Sequence, residues 1–342
     1  MRATEPSPST RTPEPDDRAF ARLAEPLRRE LKVHCYRMMG SLYDAEDAVQ
    51  ETFLRGWRGF GGLDDRGSIR AWLYRIATNV CLETLGKRRH ARRILPDQRA
   101  PATNEMPNGA PATDVAWLDP YPDAELAELA DDAPSPEARY SSREAVRLAF
   151  VAAIQQLPPR QRAVLMLCDV LGWSAAEAAA LLGASVASVN SALQRSRATL
   201  ATRYRTGREP APTAPTAAQQ DLLGRYMRAW ERLDVDGFVT LLKEDAVYTM
   251  PPLPQWYLGR EAIGAFSKWA FRLYDAFHLA PISANGQPAF AAYSRTEPRD
   301  PWSAHSIHVL DLENDGISGI TLFAKPASPR LFSTFGLPLA IP

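Results

Sequence analysis

The sequence predicts a multidomain chain: two all-α modules followed by an α+β domain. Three observations predict it. Pro-rich stretches break the 342 residues into three blocks, about 18–93, 143–205 and 219–336, with linkers at 94–142 and 206–218 and an N-terminal arm at 1–17. Apolar residues recur at helical spacing in the first two blocks, whereas the third turns from helical period to β-like runs. The charge, zero overall, follows the same divisions: +7 over 18–93, −8 over 94–142, +6 over 143–208, and −5 on the arm and tail together.

These numbers exclude several classes. At 45% hydrophobic content, wholesale disorder is ruled out. No apolar run of about 18 residues predicts a membrane helix, and the polar start lacks the apolar region of a secretory signal. Cys35, Cys81 and Cys168 lie far apart, without a CxxC pair, so neither a disulfide framework nor a metal site is expected. A cytoplasmic protein with no membrane contact, cofactor or metal is the expectation. A neutral average would argue against a nucleic-acid partner, but two basic modules around an acidic linker argue for one.

In the first block, Ala45, Ala48, Val49, Thr52, Phe53 and Trp57 give one helix its apolar face, with Asp47, Gln50, Glu51 and Arg55 on the other. The glycines of 59–68 predict a loop. A second helix starts near Ile69, with Leu73, Ile76 and Val80 inward and Trp72, Arg75 and Asn79 sharing another face. It ends in the basic run from Lys87 through Arg88 and Arg89 to Arg93. Phosphate contact or a solvated helix end both fit that run, and core packing is the alternative for Trp72.

In the second block, 143–156 reads as an amphipathic helix, and the prolines of LPPRQ (157–161) open the next. Ser174 with Glu177 makes a capping box, Gly183 a helix stop and Ser185 a new cap, so 174–199 reads as a helix-turn-helix. Val186, Val189 and Leu193 are expected inward. Ser188, Asn190, Ser191, Gln194, Arg195 and Arg197 are expected outward. Arg pairs bidentately with guanine and Asn or Gln with adenine, while Arg also binds phosphate. A plain helical hairpin with a solvated face is the bland alternative.

In the third block, 219–243 and 260–275 have helical period, followed by strand-like runs at 246–250, 289–294, 306–312 and 316–324. A curved antiparallel sheet with helices before it is expected.

Two constellations together point to a family. Asp44-Ala-Glu-Asp-Ala-Val-Gln-Glu-Thr-Phe53, then Trp57, then Trp72-Leu-Tyr-Arg-Ile-Ala-Thr-Asn79, resembles domain 2 of the sigma-70 superfamily, in its extracytoplasmic-function group. LPPRQRAVLML (157–167) and WSAAEAAALLG (173–183) with the helix after them resemble its domain 4. The likeness covers about 18–205. It implies a sigma factor that binds core RNA polymerase and promoter DNA. Asp47, Gln50 and Glu51 would meet the polymerase clamp. Trp72, Arg75, Asn79, Lys87, Arg88 and Arg89 would face the −10 strand, with the loop 59–68 holding a flipped base. Residues 188–197 would read the −35 duplex. Asn190 and Gln194 stand where many relatives carry Arg and an aromatic, which leaves the promoter sequence open.

In that family the linker threads the polymerase cleft, where an acidic strand can imitate RNA; a merely solvating linker is the alternative. Trp117, Leu118, Asp119 and Pro120 open an aromatic and Pro-rich island similar to an element of relatives that carry an extra C-terminal domain. The tail itself resembles the SnoaL-like branch of the NTF2-like, cone-shaped α+β fold, through AWERLDVDGFVTLLKEDAVYTMPP (229–252) and YLGREAIGAF (257–266). Some such domains are enzymes with a buried acid or base. Here Asp245 reads as lying just before a strand. His305 and His308 differ by an odd number and should face opposite sides of a regular strand, so no acid/base pair is expected. Tyr248, Trp256, Tyr257, His305 and His308 are the pocket candidates for an unidentified small ligand. The tail is expected to modulate the sigma modules, by clamping them or by sensing that ligand, rather than to catalyse. A DNA-binding regulator working without polymerase, or a SnoaL-type enzyme fused to a DNA-binding module, are the competing functions.

Overall fold

The computed structural model describes residues 17–63, 69–87, 92–107, 111–126, 145–203, 215–313, 316–325 and 327–342. The arm before Asp17, Arg88 and Arg89, and the loop residues 64–68 fall outside them.

The first module packs four helices: α1 (Asp17–Ala24), α2 (Arg28–Met39), α3 (Leu42–Gly59) and α4 (Ile69–Lys87). Ser41 caps α3 by accepting from the Asp44 amide, and Gly40 closes α2 at φ +68°. A Cβ on Gly40 would meet Leu118, Gln155 and Arg93 at 2.9–3.2 Å. The glycine therefore lets three segments converge there. Cys35 and Cys81 are buried together in this core as free thiols, and their contact with burial pushes the Cys35 thiol pKa up.

The second module comprises α5 (Leu148–Gln155), α6 (Pro159–Leu165) with a π turn at Met166–Val170, α7 (Ala175–Leu182) and α8 (Val186–Arg203). The capping box forms as the sequence implies: Ser174 Oγ accepts from the Glu177 amide and the Ser174 amide donates to Glu177 Oε2 at 2.8 Å. Gly183 is left-handed at φ +59°, and Ser185 accepts from the Ser188 amide. Two expectations fail. Val186 is 45% exposed; of the three residues expected inward, Val189 and the half-buried Leu193 reach the core. The helix expected over 143–156 begins only at Leu148, after an extended Arg147, and it is not amphipathic. Nearly every side chain in it is buried, because first module, linker and tail pack around it.

The tail opens with α9 (Ala217–Glu231) and α10 (Val235–Thr240). The continuous helical period through 243 is broken where Leu233 takes φ +55° and the Asp234 side chain caps the Gly237 amide. Strands β1 (Leu242–Thr249) and β2 (Trp256–Leu258) precede α11 (Gly259–Ala270). Then come β3 (Ala276–Ala284), β4 (Gln287–Arg295), β5 (Trp302–Glu313), β6 (Gly316–Phe323), α12 (Ser328–Thr334) and β7 (Ala340–Ile341). Asp245 lies within β1, exposed, rather than ahead of it.

The sheet order is β2-β1-β6-β5-β4-β3, with β7 paired to β5. It is not wholly antiparallel: β1 and β6, with four strands between them in sequence, run parallel. β3 escapes a sequence reading because AFHLAPISA carries Pro281 and no alternation. The proline is tolerated because β3 is an edge: among the described strands it pairs only with β4, beside a single bridge from Ala284 to Pro122 of the linker. One sheet face packs with the helices α9–α11, around Tyr226, Trp230 and Phe266. The opposite face, with Ala289, Ala291, Tyr293 and Ile307, joins the same core as the two helical modules.

Candidate nucleic-acid interface and interdomain seam

On α8, Ser188, Asn190, Ser191, Gln194, Arg195 and Arg197 are all exposed, on a helix held from below by Val189 and the buried Ser196. The two arginines already have partners. Arg195 Nη1 donates to Ser191 Oγ one turn earlier at 2.6 Å. Arg197 makes a forked pair with Asp169 at 2.6 and 3.0 Å. Such an exposed pair holds by about 0–1 kcal/mol, so it orients the guanidinium rather than sequestering it.

On the first module, Asp47 and Gln50 are exposed and Glu51 half-buried on α3. Asp47, Glu51 and Arg55 of α3 line a groove of about 310 Å³, with Glu83 and Lys87 of α4 across it. Arg55 is gripped by Glu51 at 2.7 Å and by Glu83 at 2.9 and 3.0 Å. Trp57, counted on the apolar face, is 37% exposed. On α4, Arg75 is exposed while Trp72 and Asn79 are half-buried. A Cβ on Gly59 would lie 3.1 Å from the Trp72 ring. Lys87 is exposed.

The two helical modules do not stand apart. Arg162, on α6, is fully buried: its guanidinium donates to the Met38 carbonyl of the first module, to Gln155 Oε1 at 2.6 Å, and to the Gln155 and Leu157 carbonyls. Without a carboxylate partner, burial lowers its pKa to about 9. Gln155 Nε2 donates to the Arg37 carbonyl at 2.9 Å, and Arg37 Nε to the Ala145 carbonyl at 3.1 Å.

The linker island lies in this junction. Leu118 and Tyr121 are buried, and Pro120 with them; Trp117 is half-buried. The Asp119 amide donates to the Gly40 carbonyl at 3.1 Å, and Asp119 Oδ2 accepts from the Leu42 amide at 3.3 Å, at the start of α3. A carboxylate there faces the positive helix end, although burial still pushes its pKa up. A cleft of about 360 Å³ separates Trp117, Leu118 and Asp119 from Pro251, Phe323 and Leu331 of the tail.

The tail enters the junction through its β3–β4 turn. Asn285, left-handed at φ +58° and fully buried, donates from Nδ2 to the Tyr36 hydroxyl at 2.9 Å and to the Val146 carbonyl at 2.7 Å. Its Oδ1 accepts from the Tyr121 amide at 2.8 Å, and its own amide donates to the Tyr121 carbonyl. One side chain thus touches the first module, the linker and the start of the second module. Gln287 accepts from the Leu148 amide, and Arg147 pairs with Asp311 at 2.8 Å. Sequence reasoning missed Asn285, Gln287, Arg147 and Arg162. The Asn-Gly dipeptide at 285–286 is a hairpin signal, yet nothing local says what the turn touches.

Tyr248, Tyr257 and His308 are buried, and Trp256 is half-buried at the rim. His305 and His308 face the same side, not opposite sides. Ala292 pairs with Ser306 but Tyr293 with Ala304, so His305 is an extra residue in a β-bulge that resets the alternation. Ser306 Oγ then bridges His305 Nδ1 at 2.7 Å and His308 Nε2 at 2.8 Å. Tyr274 closes one end of the chain and Tyr226 the other. Trp230 and Phe290 pack over the Tyr226 end.

Burial lowers the His305 pKa to about 4 and holds His308 well below its usual value; buried His34, on α2, falls to about 3. All three are neutral in the fold but protonate near pH 6.5 when unfolded. Stability is therefore full above that value and drains as pH falls toward 4, by up to about 1.4 kcal/mol per pH unit per histidine. Exposed Asp97 and half-buried Asp119, whose values desolvation raises, oppose this only nearer the carboxylate range. A melting temperature that drops between pH 7 and pH 5 is expected; a flat profile refutes it.

Among the described residues no group of His, Cys, Asp and Glu could hold a metal, and no single helix is long and apolar enough to cross a membrane.

A helix-turn-helix with a polar and cationic outer face, a second helical module and a fused α+β tail define the class: a DNA-binding transcription protein. Family models for sigma-70 region 2 match residues 23–93, for sigma-70 region 4 residues 147–200, and for a SnoaL-like domain residues 223–320. The extracytoplasmic-function (ECF) RNA polymerase sigma factor SigG of Mycobacterium tuberculosis is 45% identical over 324 residues, 93% of this chain and 84% of that one. The chain belongs to the ECF RNA polymerase sigma factor family. The ECF sigma factor SigJ of the same organism is 30% identical over 66% of this chain and 62% of its own length. The SigJ crystal structure matches 92% of this chain and 98% of its own at a TM-score of 0.59 and 23% identity, a likeness of fold.

Proposed function

We propose that this chain binds core RNA polymerase and directs it to promoters, and that its SnoaL-like tail restrains it in a closed form. Asp47, Gln50 and Glu51 offer the polymerase contact. Trp72, Arg75, Asn79 and Lys87, with Arg88 and Arg89, take the −10 strand, where exposed bases stack on an aromatic and bond to an amide. Ser188, Asn190, Ser191, Gln194, Arg195 and Arg197 read the −35 duplex. The protein acts in the cytoplasm, as a regulator rather than an enzyme; the aromatic packing around His308 favours a structural part for that histidine over turnover.

The observation that carries the closed-form reading is the buried Arg162–Met38 contact. Elements at −10 and −35 lie about 25 base pairs apart, roughly 85 Å of duplex at 3.4 Å per pair. Modules of this size are only about 30 Å across. Two modules in direct contact do not reach both elements, so the seam must open for promoter recognition. Asn285, Gln287 and the Arg147–Asp311 pair place the tail where it holds that seam shut.

The test is transcription with core polymerase, full-length protein against residues 1–208. The truncated form is expected to bind core and to initiate more strongly. No initiation by either form from any genomic fragment removes the sigma reading, and equal activity removes the restraint. Arg195→Ala is expected to weaken a cognate −35 site by about 1–3 kcal/mol, read by DNA titration; an unchanged affinity removes it from the interface.

A further inference from the structure

The described linker residues 94–107 and 111–118 share a stitched base. Ile94 bridges Trp117, the Ile94 amide donates to the Ala116 carbonyl and the Leu118 amide to the Ile94 carbonyl at 3.1 Å. Arg93 fastens the base to the first module through Asp44 at 2.7 Å and to the Trp117 carbonyl at 2.8 Å. Gln98 touches the second module through the Ala152 carbonyl. The far part of the loop reaches the tail. There Trp256 Nε1 donates to the Ala100 carbonyl at 2.6 Å, the Thr103 amide to the Trp256 carbonyl at 3.0 Å, the Tyr257 hydroxyl to the Glu105 carbonyl at 2.9 Å, and the Ala112 amide to the Pro252 carbonyl at 3.2 Å. Met106 packs half-buried against the tail core.

In all four of these hydrogen bonds to the tail the loop atom belongs to the backbone. The tail side is the strand β2 and the turn before it; among the described strands β2 pairs only with β1 and is therefore an edge of the sheet. An edge strand presents unpaired amides and carbonyls to any extended chain. An indole N–H and a phenol O–H add two donors aimed at carbonyls, and the tail core takes one flexible apolar side chain.

We propose that the rim Pro252–Tyr257 is a peptide-docking site whose occupant is the chain's own linker, with Met106 as its apolar anchor. Trp256 and Tyr257 thus hold an internal peptide in place of the small ligand expected of them. The site recognises an extended backbone by hydrogen bonds and admits an unbranched apolar side chain beside Tyr257. It ties the first module to the tail at a point separate from the Asn285 turn. This rests on the sigma-factor reading for its effect on transcription but not for the docking itself.

The experiment uses the full chain with Thr103→Pro, which deletes one backbone donor, and Trp256→Phe, which keeps a ring but loses the indole N–H. Amide exchange is read at residues 100–112 and initiation is read with core polymerase. In the wild type the Thr103 and Ala112 amides are expected to be protected; both variants should lose protection at Ala112, Trp256→Phe also at Thr103, and both should gain initiation by about tenfold. Rapid exchange of Thr103 and Ala112 in the wild type overturns the docking. Lost protection with unchanged initiation overturns its role as a restraint. A wild type that never initiates refutes the sigma reading while leaving the exchange result to decide the docking.

Discussion

Asn285→Ala should release the closed form. The substitution removes two donors and an acceptor, and strands the Val146 carbonyl and the Tyr121 amide in a buried site. It also places an ordinary side chain at φ +58°. Three hydrogen bonds at about 1 kcal/mol each, with about 1 kcal/mol of left-handed strain, give a loss of about 4 kcal/mol. Small-angle scattering should then show a larger radius of gyration, and initiation should rise. Asn285→Gly separates the two causes, since glycine bears the turn without strain and lacks only the side-chain bonds. It should recover about 1 kcal/mol and still open. If Asn285→Ala leaves both radius and activity unchanged, this turn does not hold the seam.

Arg162→Met is expected to have an effect of similar size by a different route. Methionine fills much of the volume but leaves the Met38, Gln155 and Leu157 carbonyls without donors. Each stranded acceptor costs about 1–3 kcal/mol, offset in part by no longer burying a guanidinium that has no carboxylate partner. A net loss of about 2–4 kcal/mol is expected in denaturant titrations. Because the Gln155 and Leu157 bonds lie within the second module, that module should lose stability of its own. Arg162→Lys should not rescue it, since one ammonium does not span the positions of a planar fork. Wild-type stability in Arg162→Met would show that the buried fork contributes no net energy.

Much of the architecture was legible in the chain. The capping box at Ser174, the stop at Gly183 and the polar face of α8 all depend on residues within four positions of one another, so local chemistry specifies them. The tail strands after Gln287 were readable for the same reason. What escaped depends on distant partners. The true start of α5 and its all-round burial follow from a tail turn more than a hundred residues later. The shared face of His305 and His308 follows from one extra residue in β5, which alternation rules cannot anticipate. The functional side chains that the sequence did not offer, Asn285, Gln287, Arg147 and Arg162, act across module boundaries.

The atoms that meet at the seam carry a consequence for how such a protein can change over generations. The partners of Asn285, Arg162 and Gln155 there include the carbonyls of Val146, Met38 and Arg37, and Gln287 accepts from the Leu148 amide. A main-chain partner survives most substitutions at its own position. The DNA-reading modules are therefore free to drift toward new promoters without retuning their restraint. Selection to keep the tail engaged falls on a few amide and guanidinium side chains, and tails exchanged between related chains should dock wherever those few are retained.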